Sequence, residues 1–123
     1  MEKTTVSTIV NETNTAKAVG SGNLEVFGTP MMIALMEEAS AQAMLHLLKE
    51  GQASVGTMVN IEHTAPSPLT ATITATAIIE NIDGRKVDFT VIAEDNAGEI
   101  GKGTHTRFII DSQKLLAKAG DRI

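Results

Sequence analysis

The chain has no cysteine, no tryptophan and no tyrosine, and only three of its 123 residues are phenylalanine. The absence of thiols excludes disulfide bonds, thiolate zinc sites and a cysteine nucleophile. The scarcity of aromatic rings argues against a surface on which nucleobases or sugars would stack. The core is therefore expected to be aliphatic, built from valine, isoleucine, leucine, methionine and alanine.

Positive charge is also scarce, since ten lysines and arginines stand against fifteen aspartates and glutamates, a formal net charge of −5. No cluster of basic residues forms the positive surface that nucleic acids require, so we expect no nucleic-acid partner. No apolar run approaches membrane-spanning length, and the first ten residues lack the apolar core of a signal peptide. No spacing of histidine and carboxylate residues suggests a metal site. We expect a cytoplasmic protein that binds neither membrane nor metal.

Apolar periodicity predicts a single α+β domain over residues 1–123. The β-branched stretch 4–10 predicts a first strand, and the polar, glycine-containing stretch 11–23 predicts a loop. A helix follows, after which the apolar period changes from about 3.6 to 2. The predicted strands beyond the helix cover residues 53–65, 69–80, 86–95 and 100–111, and a short closing helix follows them. This order is typical of a long helix that lies on one face of an antiparallel sheet.

The long helix carries two adjacent carboxylates, Glu37 and Glu38. Its predicted start has Thr29 as the N-cap and Pro30 at the first helical position, and its predicted end is near Gly51. Glu38 belongs to a polar stripe, whereas Glu37 lies on a stripe that is otherwise almost entirely apolar. We therefore expect Glu37 to face inward, where a carboxylate is costly unless it is paired. A position at the rim of an ordinary amphipathic helix is the alternative for Glu37.

His63 is the candidate partner for the inward carboxylate. Regular alternation along its strand puts His63 at the end of an inward-facing row and Gly56 on the opposite face. Histidine is suited to proton transfer near neutral pH, although a hydrogen-bonded structural role is the alternative. Thr29 also has two interpretations. Its hydroxyl either caps the helix or lies where helix N–H groups would stabilise an oxyanion.

A family resemblance rests on five short segments in a fixed order. They are FGTP at 27–30, MEEA at 36–39, SVGT at 54–57, Glu62-His63, and GTHTR at 103–107. With these residues the chain resembles the hotdog-fold thioesterases of the fluoroacetyl-CoA thioesterase type, over residues 26–111. The resemblance implies the hotdog fold, in which an antiparallel sheet wraps around a long central helix. It also implies a homodimer, or a higher oligomer, with its sites at the subunit interface.

The resemblance further implies residue roles and a reaction. Thr29, Glu37 and His63 correspond to the catalytic residues of the family, and Gly56 corresponds to a substrate-binding glycine. The implied reaction is hydrolysis of a small acyl-CoA thioester to the free acid and CoA, with no cofactor besides the CoA of the substrate. His63 would act as general base on water or on the Thr29 hydroxyl, and Glu37 would position the nucleophile. Gly56 would let the backbone approach the thioester.

Several features remain outside this pattern. Family members specific for fluoroacetyl-CoA carry aromatic lid residues before the helix, whereas this chain has only Phe27 there, so we do not expect that specificity. Three methionines at 31, 32 and 36 either crowd the acyl pocket or fill the core. His105 and Arg107 share one strand face, which we expect to point outward. The alternative function is a non-catalytic acyl-CoA or small-ligand binding protein on the same scaffold.

Overall fold

The structure is a computed structural model that describes residues 3–123. The order of its elements is β1 (Lys3–Ile9), α1 (Ala16–Val19), α2 (Thr29–Ala43), a 3-10 turn (Leu45–Leu47), β2 (Gln52–His63), β3 (Thr72–Asp83), β4 (Lys86–Asp95), β5 (Gly98–Asp111) and α3 (Ser112–Asp121). The strands form one antiparallel sheet in the order β1-β3-β4-β5-β2. The predicted α+β class, with a long helix against an antiparallel sheet, is confirmed.

The core lies between α2 and the inner face of the sheet. Strands β3 and β4 alternate regularly between buried and half-buried side chains, as a period of two requires. The buried residues of α2 are Met32, Leu35, Met36, Ala39, Ser40 and Ala43. The core is aliphatic as predicted, with Phe27 and Phe89 as its only fully buried aromatic side chains within residues 3–123. No helix in this range is long and apolar enough to cross a membrane.

The start of α2 differs from the prediction. Gly28 is the N-cap, Thr29 is the first helical residue and Pro30 the second, so the assignment of Thr29 as N-cap is wrong. A Cβ atom at residue 28 would lie 3.2 Å from the backbone nitrogen of Ala16 and from Val19 Cγ2. A side chain there would require α1 to shift by a few tenths of an ångström, and glycine avoids that shift. Because no side chain caps the helix, the Thr29 hydroxyl is available for another partner.

The end of α2 also differs, because the helix stops at Ala43 and not near Gly51. Met44 leaves helical geometry at φ −106° and ψ 10°, and a 3-10 turn follows. Gly51, with φ 82°, instead makes the turn into β2. Its left-handed backbone is one that glycine adopts without strain, so the glycine was recognised correctly but assigned to the wrong element.

Strand β2 contains a bulge that the sequence pattern did not reveal. Gly56 pairs with Arg107, and Met58 pairs with Thr106, so Thr57 is an extra residue in β2. Regular alternation would put Gly56 and His63, seven residues apart, on opposite faces. The extra residue reverses the alternation and brings both onto the face that meets α2. The prediction that Gly56 lies on the face opposite His63 is therefore wrong.

Candidate active site

Thr29 and His63 are in direct contact, with 2.7 Å between Thr29 Oγ1 and His63 Nδ1. The contact joins the first residue of α2 to the last residue of β2. Gly101 pairs with His63 on the neighbouring strand, and a Cβ atom there would lie 2.7 Å from the Met32 side chain. The glycine in β5 thus leaves the space in which the end of β2 and the first turn of α2 approach each other.

The imidazole of His63 is set up to accept a proton through Nδ1. Burial lowers its pKa below the ordinary value of 6.5, and a backbone hydrogen bond with Ala65 opposes this shift only in part. The ring is therefore neutral near pH 7. Its Nε2 atom is shielded from solvent and has no hydrogen-bond partner of good geometry among residues 3–123. In the tautomer with the proton on Nε2, Nδ1 accepts the hydrogen bond that the Thr29 hydroxyl donates.

A cavity of about 300 Å³ opens beside this pair. It is lined by Ala16, Ser21, Val26, Phe27, Thr29, His63, Thr64, Ala65 and Pro66. Apart from the catalytic candidates its walls are small or apolar, and the volume is at the lower end of the range for small-molecule sites. The methionines at 31, 32 and 36 are absent from this lining, and two of them, Met32 and Met36, are fully buried. Met32 and Met36 therefore fill the core and do not crowd this cavity.

Glu37 lies in a second polar cluster, further along α2. Its Oε2 atom is 3.5 Å from Arg107 Nη1 and 4.0 Å from His105 Nε2. A Cβ atom at Gly56 would be only 2.6 Å from the same oxygen, so the carboxylate lies directly over the glycine. The Glu37 side chain is 41% exposed, whereas Glu38 faces solvent. Glu37, and not Glu38, is thus the carboxylate nearer the sheet, but its exposure puts it at the rim of the buried face, as in the alternative interpretation, beside the Arg107 cation.

His105 and Arg107 are buried, so the expectation that they point outward is wrong. Their exposures are 1% and 8%, and both lie on the inner face of β5. Arg107 donates from Nε to Ser54 Oγ and from Nη2 to Ser54 O, and the donor–acceptor distance is 3.0 Å in each bond. A usable signal was present in the sequence. Arg107, on the same strand face as His105, can pair with a carboxylate on the helix that covers that face.

The hydrogen bonds of His105 define its protonation state. Arg107 Nη1 and His105 Nε2 are 3.3 Å apart. Because a guanidinium can only donate, Arg107 is the donor in this bond. His105 Nδ1 must then carry the proton that it donates to the carbonyl of Met58, 2.7 Å away. Burial is the main reason why the pKa of His105 lies below 6.5, and the charge of Arg107 adds to the effect. Burial also lowers the pKa of Arg107, and Glu37 opposes that shift.

Within one chain the predicted site residues form two separate groups. Thr29 and His63 form one, while Glu37 and Gly56 form the other. Glu37 is eight residues after Thr29, which corresponds to about 12 Å along the helix axis. No hydrogen bond or ion pair within residues 3–123 connects Glu37 to Thr29 or to His63. Nor does any group of three or more histidine, aspartate or glutamate residues in this range have an arrangement that would hold a metal ion.

The chain matches a family model described as fluoroacetyl-CoA-specific thioesterase over residues 10–113. The chain belongs to this family. A relative in Streptantibioticus cattleyicolor, a fluoroacetyl-CoA thioesterase, is 43% identical over 94 residues, which cover 76% of this chain and 68% of the relative. Membership of the family makes the chain a thioester hydrolase, and this confirms the enzyme class expected from the sequence.

Solved structures agree with this family assignment. A substituted form of the fluoroacetyl-CoA-specific thioesterase in complex with fluoroacetate and CoA superposes with a TM-score of 0.91 and 35% identity, covering 96% of this chain and 97% of its own. A thioesterase superfamily member of Thermus thermophilus has a TM-score of 0.87 and 25% identity, covering 98% and 91% of the two chains. The hotdog fold expected of this thioesterase is therefore confirmed.

Proposed function

We propose that this member of the thioesterase family hydrolyses a small acyl-CoA thioester to the free acid and CoA. Thr29, Glu37 and His63 are its catalytic residues, and Gly56 contacts the substrate. The observation that carries the proposal is the 2.7 Å contact between the Thr29 hydroxyl and His63 Nδ1, at the edge of the cavity. The relative with 43% identity acts on fluoroacetyl-CoA, which makes an acyl-CoA the natural substrate class to test.

In the proposed reaction, His63 Nδ1 takes a proton from the Thr29 hydroxyl, or from a water molecule held by that hydroxyl. The oxygen that loses the proton attacks the thioester carbonyl carbon. The new C–O bond forms a tetrahedral intermediate, and breakage of the C–S bond releases the CoA thiolate. The proton on His63 then passes to the thiolate. If Thr29 is the nucleophile, a water molecule hydrolyses the resulting ester by the same sequence of proton transfers.

We further propose that a second copy of the chain completes the site. Strand β2 is at the edge of the sheet, and residues 56–60 in its middle are all exposed, including Met58 and Val59 at 42% and 46%. An exposed edge strand with apolar side chains is a surface for pairing with another strand. Antiparallel pairing of β2 with its own copy, about a two-fold axis near its middle, would place the Gly56 end of one strand beside the His63 end of the other.

Such a homodimer would bring the two groups of residues together. Thr29 and His63 of one subunit would face the partner subunit's Glu37, because Glu37 lies over Gly56. Mixing two inactive variants tests this arrangement. If copies with His63→Ala and Glu37→Gln exchange at random, half of the dimers contain one intact site, and about a quarter of wild-type activity returns. If each site lies within one chain, every site keeps a defect and the mixture stays inactive.

The acyl group is expected to be small and need not carry fluorine. The segment before α2 offers Val26 and Phe27 to the cavity, together with the small residues Ala16 and Ser21. Phe27 itself is fully buried, so it does not form an aromatic lid over the pocket. We therefore expect the rate to depend on acyl size more than on fluorination, with acetyl-CoA and other short-chain thioesters accepted alongside fluoroacetyl-CoA.

The decisive experiment measures CoA release from acetyl-, fluoroacetyl-, butyryl-, octanoyl- and benzoyl-CoA with a thiol reagent. The protein contributes no thiol background because it has no cysteine. Release by the wild type should collapse in His63→Ala and in Thr29→Val. His46→Ala is the matched control, since His46 lies on the exposed 3-10 turn, and it should keep full activity. Binding of acyl-CoA without any release would refute the proposal and favour a binding protein.

A further inference from the structure

A buried histidine that the proposed reaction does not use connects the bulge of β2 to the partner of Glu37. His105 is 1% exposed and uses both ring nitrogens. Its Nδ1 atom donates to the Met58 carbonyl, one residue beyond the bulged Thr57. Its Nε2 atom accepts from Arg107 Nη1. Burial requires a partner for both nitrogens, and the partner of Nε2 is the arginine that lies beside Glu37.

The hydrogen bonds of Arg107 show what this arrangement orients. Two of them, from Nε and Nη2, go to Ser54, and they hold one edge of the guanidinium. The remaining nitrogen, Nη1, has two hydrogens. One is directed to His105 Nε2, and the other is left for Glu37 Oε2 at 3.5 Å. The planar guanidinium can therefore keep its bonds to Ser54 and His105 and still direct a hydrogen at Glu37 in only one orientation.

We propose that His105 is a positioning residue for the Glu37 carboxylate. It holds the free hydrogen of Arg107 Nη1 towards Glu37, while its bond to the Met58 carbonyl fixes the tautomer in which Nε2 accepts from Arg107. The inference rests on the proposed role of Glu37 in thioester hydrolysis. It adds a residue of β5 to the active site, although His105 contacts neither Thr29 nor His63.

The surroundings of His105 suit this role. The charged groups that face it are Glu37 from α2 and Arg107 from β5, and the Phe89 ring from β4 stacks on it with centroids 6.0 Å apart. A protonated ring would turn Nε2 into a donor and break the bond from Arg107. Burial and the guanidinium both oppose that protonation, so the acceptor is maintained at neutral pH.

Two substitutions separate the two hydrogen bonds of His105. In His105→Gln the amide oxygen can take the place of Nε2 and accept from Arg107, while the bond to Met58 is lost. In His105→Asn the amide nitrogen can take the place of Nδ1 and donate to Met58, while the bond from Arg107 is lost. Both variants remove the ring that stacks on Phe89, and the shorter asparagine leaves about one methylene more of empty space, so His105→Asn should have the lower thermal midpoint. Kinetics are therefore compared at a temperature at which both variants are fully folded.

The expected result is a difference in kcat between the two variants. His105→Gln should retain activity within about threefold of the wild type, whereas His105→Asn should lose about tenfold to hundredfold, since misplacement of a catalytic group by about 1 Å costs up to that much. KM should change little in either. Equal losses in both variants, or full activity in His105→Asn, would overturn the proposal, because a merely structural histidine does not distinguish the two bonds.

A double-mutant cycle tests whether the effect passes through Glu37. If His105 acts by orienting this carboxylate, adding His105→Asn to Glu37→Gln should lower kcat no further. A further loss by the factor seen in the wild-type background would show that His105 acts independently of Glu37, and the proposal would fall.

A readout without turnover keeps this proposal separate from the proposed function. A wild-type protein that releases no CoA from any thioester refutes the function. The positioning of Glu37 is then decided by the ¹³C NMR shift of its side-chain carboxylate. We expect this shift to differ between wild type and His105→Asn and to be nearly restored in His105→Gln. The same shift in all three proteins would overturn the positioning role.

Discussion

Replacement of Gly56 by alanine should impair catalysis while leaving the fold intact. The new methyl carbon would lie 2.6 Å from Glu37 Oε2, 3.0 Å from His105 Cε1 and 3.3 Å from Arg107 Nη1. Ordinary van der Waals contact begins near 3.4 Å, so the carboxylate oxygen would have to retreat by about 0.8 Å. The other two contacts require shifts of only a few tenths of an ångström. The carboxylate of Glu37 therefore absorbs most of the change.

The size of the effect follows from which atoms can move. Glu37 is a flexible side chain with 41% exposure, so its displacement costs little stability. A catalytic group displaced by about 1 Å can lower the rate by about a hundredfold, which corresponds to about 2.7 kcal/mol of activation free energy. We expect kcat for the best acyl-CoA to fall by tenfold to hundredfold in Gly56→Ala, with a thermal midpoint within a few degrees of the wild type.

Two other glycine variants serve as controls for this measurement. Gly120→Ala, where a Cβ atom meets nothing within 4 Å in helix α3, should leave activity unchanged. Gly103→Ala would instead bring its Cβ atom against the backbone of the paired strand at Asn60, which cannot yield, so this variant should fail to fold normally. CoA release measures activity, and far-UV circular dichroism measures folding, so the two effects can be distinguished. A folded Gly56→Ala protein with wild-type kcat would refute the placement of Glu37 in the active site.

Three further predictions concern pH and a buried hydroxyl. Because burial holds the pKa of His63 below 6.5, kcat/KM should fall on the acid side with a midpoint below pH 6.5, and a midpoint above 6.5 would contradict this. Burial lowers the pKa values of His63 and His105 in the folded protein, so between those values and pH 6.5 the unfolded chain binds more protons than the folded one. The thermal midpoint should therefore be highest above pH 6.5 and should fall as the pH drops through this window. His105→Gln should flatten that dependence, and an unchanged slope would argue against a lowered pKa. Ser67→Ala removes the 2.7 Å hydrogen bond to Asp95 and should cost about 1 kcal/mol, or about 4 °C in the thermal midpoint, while the pKa of Asp95 rises towards its ordinary value.

The regular elements of the fold could be predicted because burial imposes a simple period on them. Strands β3 and β4 alternate between buried and half-buried residues along most of their length, so the sequence pattern located them within a few residues. Helix α2 was found for the same reason, since core packing dictates its apolar stripe. That stripe also identified Glu37, and not Glu38, as the carboxylate nearer the sheet. These features depend on neighbours within one element or on one shared core.

The errors arose where the structure depends on contacts between elements. Gly28 is the N-cap and lies close against α1, and nothing in the segment around Thr29 reveals that contact. The inward orientation of His105 and Arg107 depends on a carboxylate more than sixty residues away in sequence. The prediction turned His105 and Arg107 outward because charged side chains usually face solvent, whereas a paired arginine can be buried.

The bulge at Thr57 links these observations to the proposed dimer. Residues paired across two antiparallel strands point to the same side of the sheet, so a site shared by the ends of two β2 strands needs Gly56 and His63 on one face. With regular alternation, Gly56 would face away from α2, and the carboxylate of Glu37 could not lie over it. The extra residue removes this conflict. Deletion of Thr57 should therefore preserve thioesterase activity, because Gly56 would still pair with Arg107, and regular alternation over the shortened strand would leave Gly56 and His63 on the face that meets α2. Loss of activity in a folded variant would contradict this reasoning.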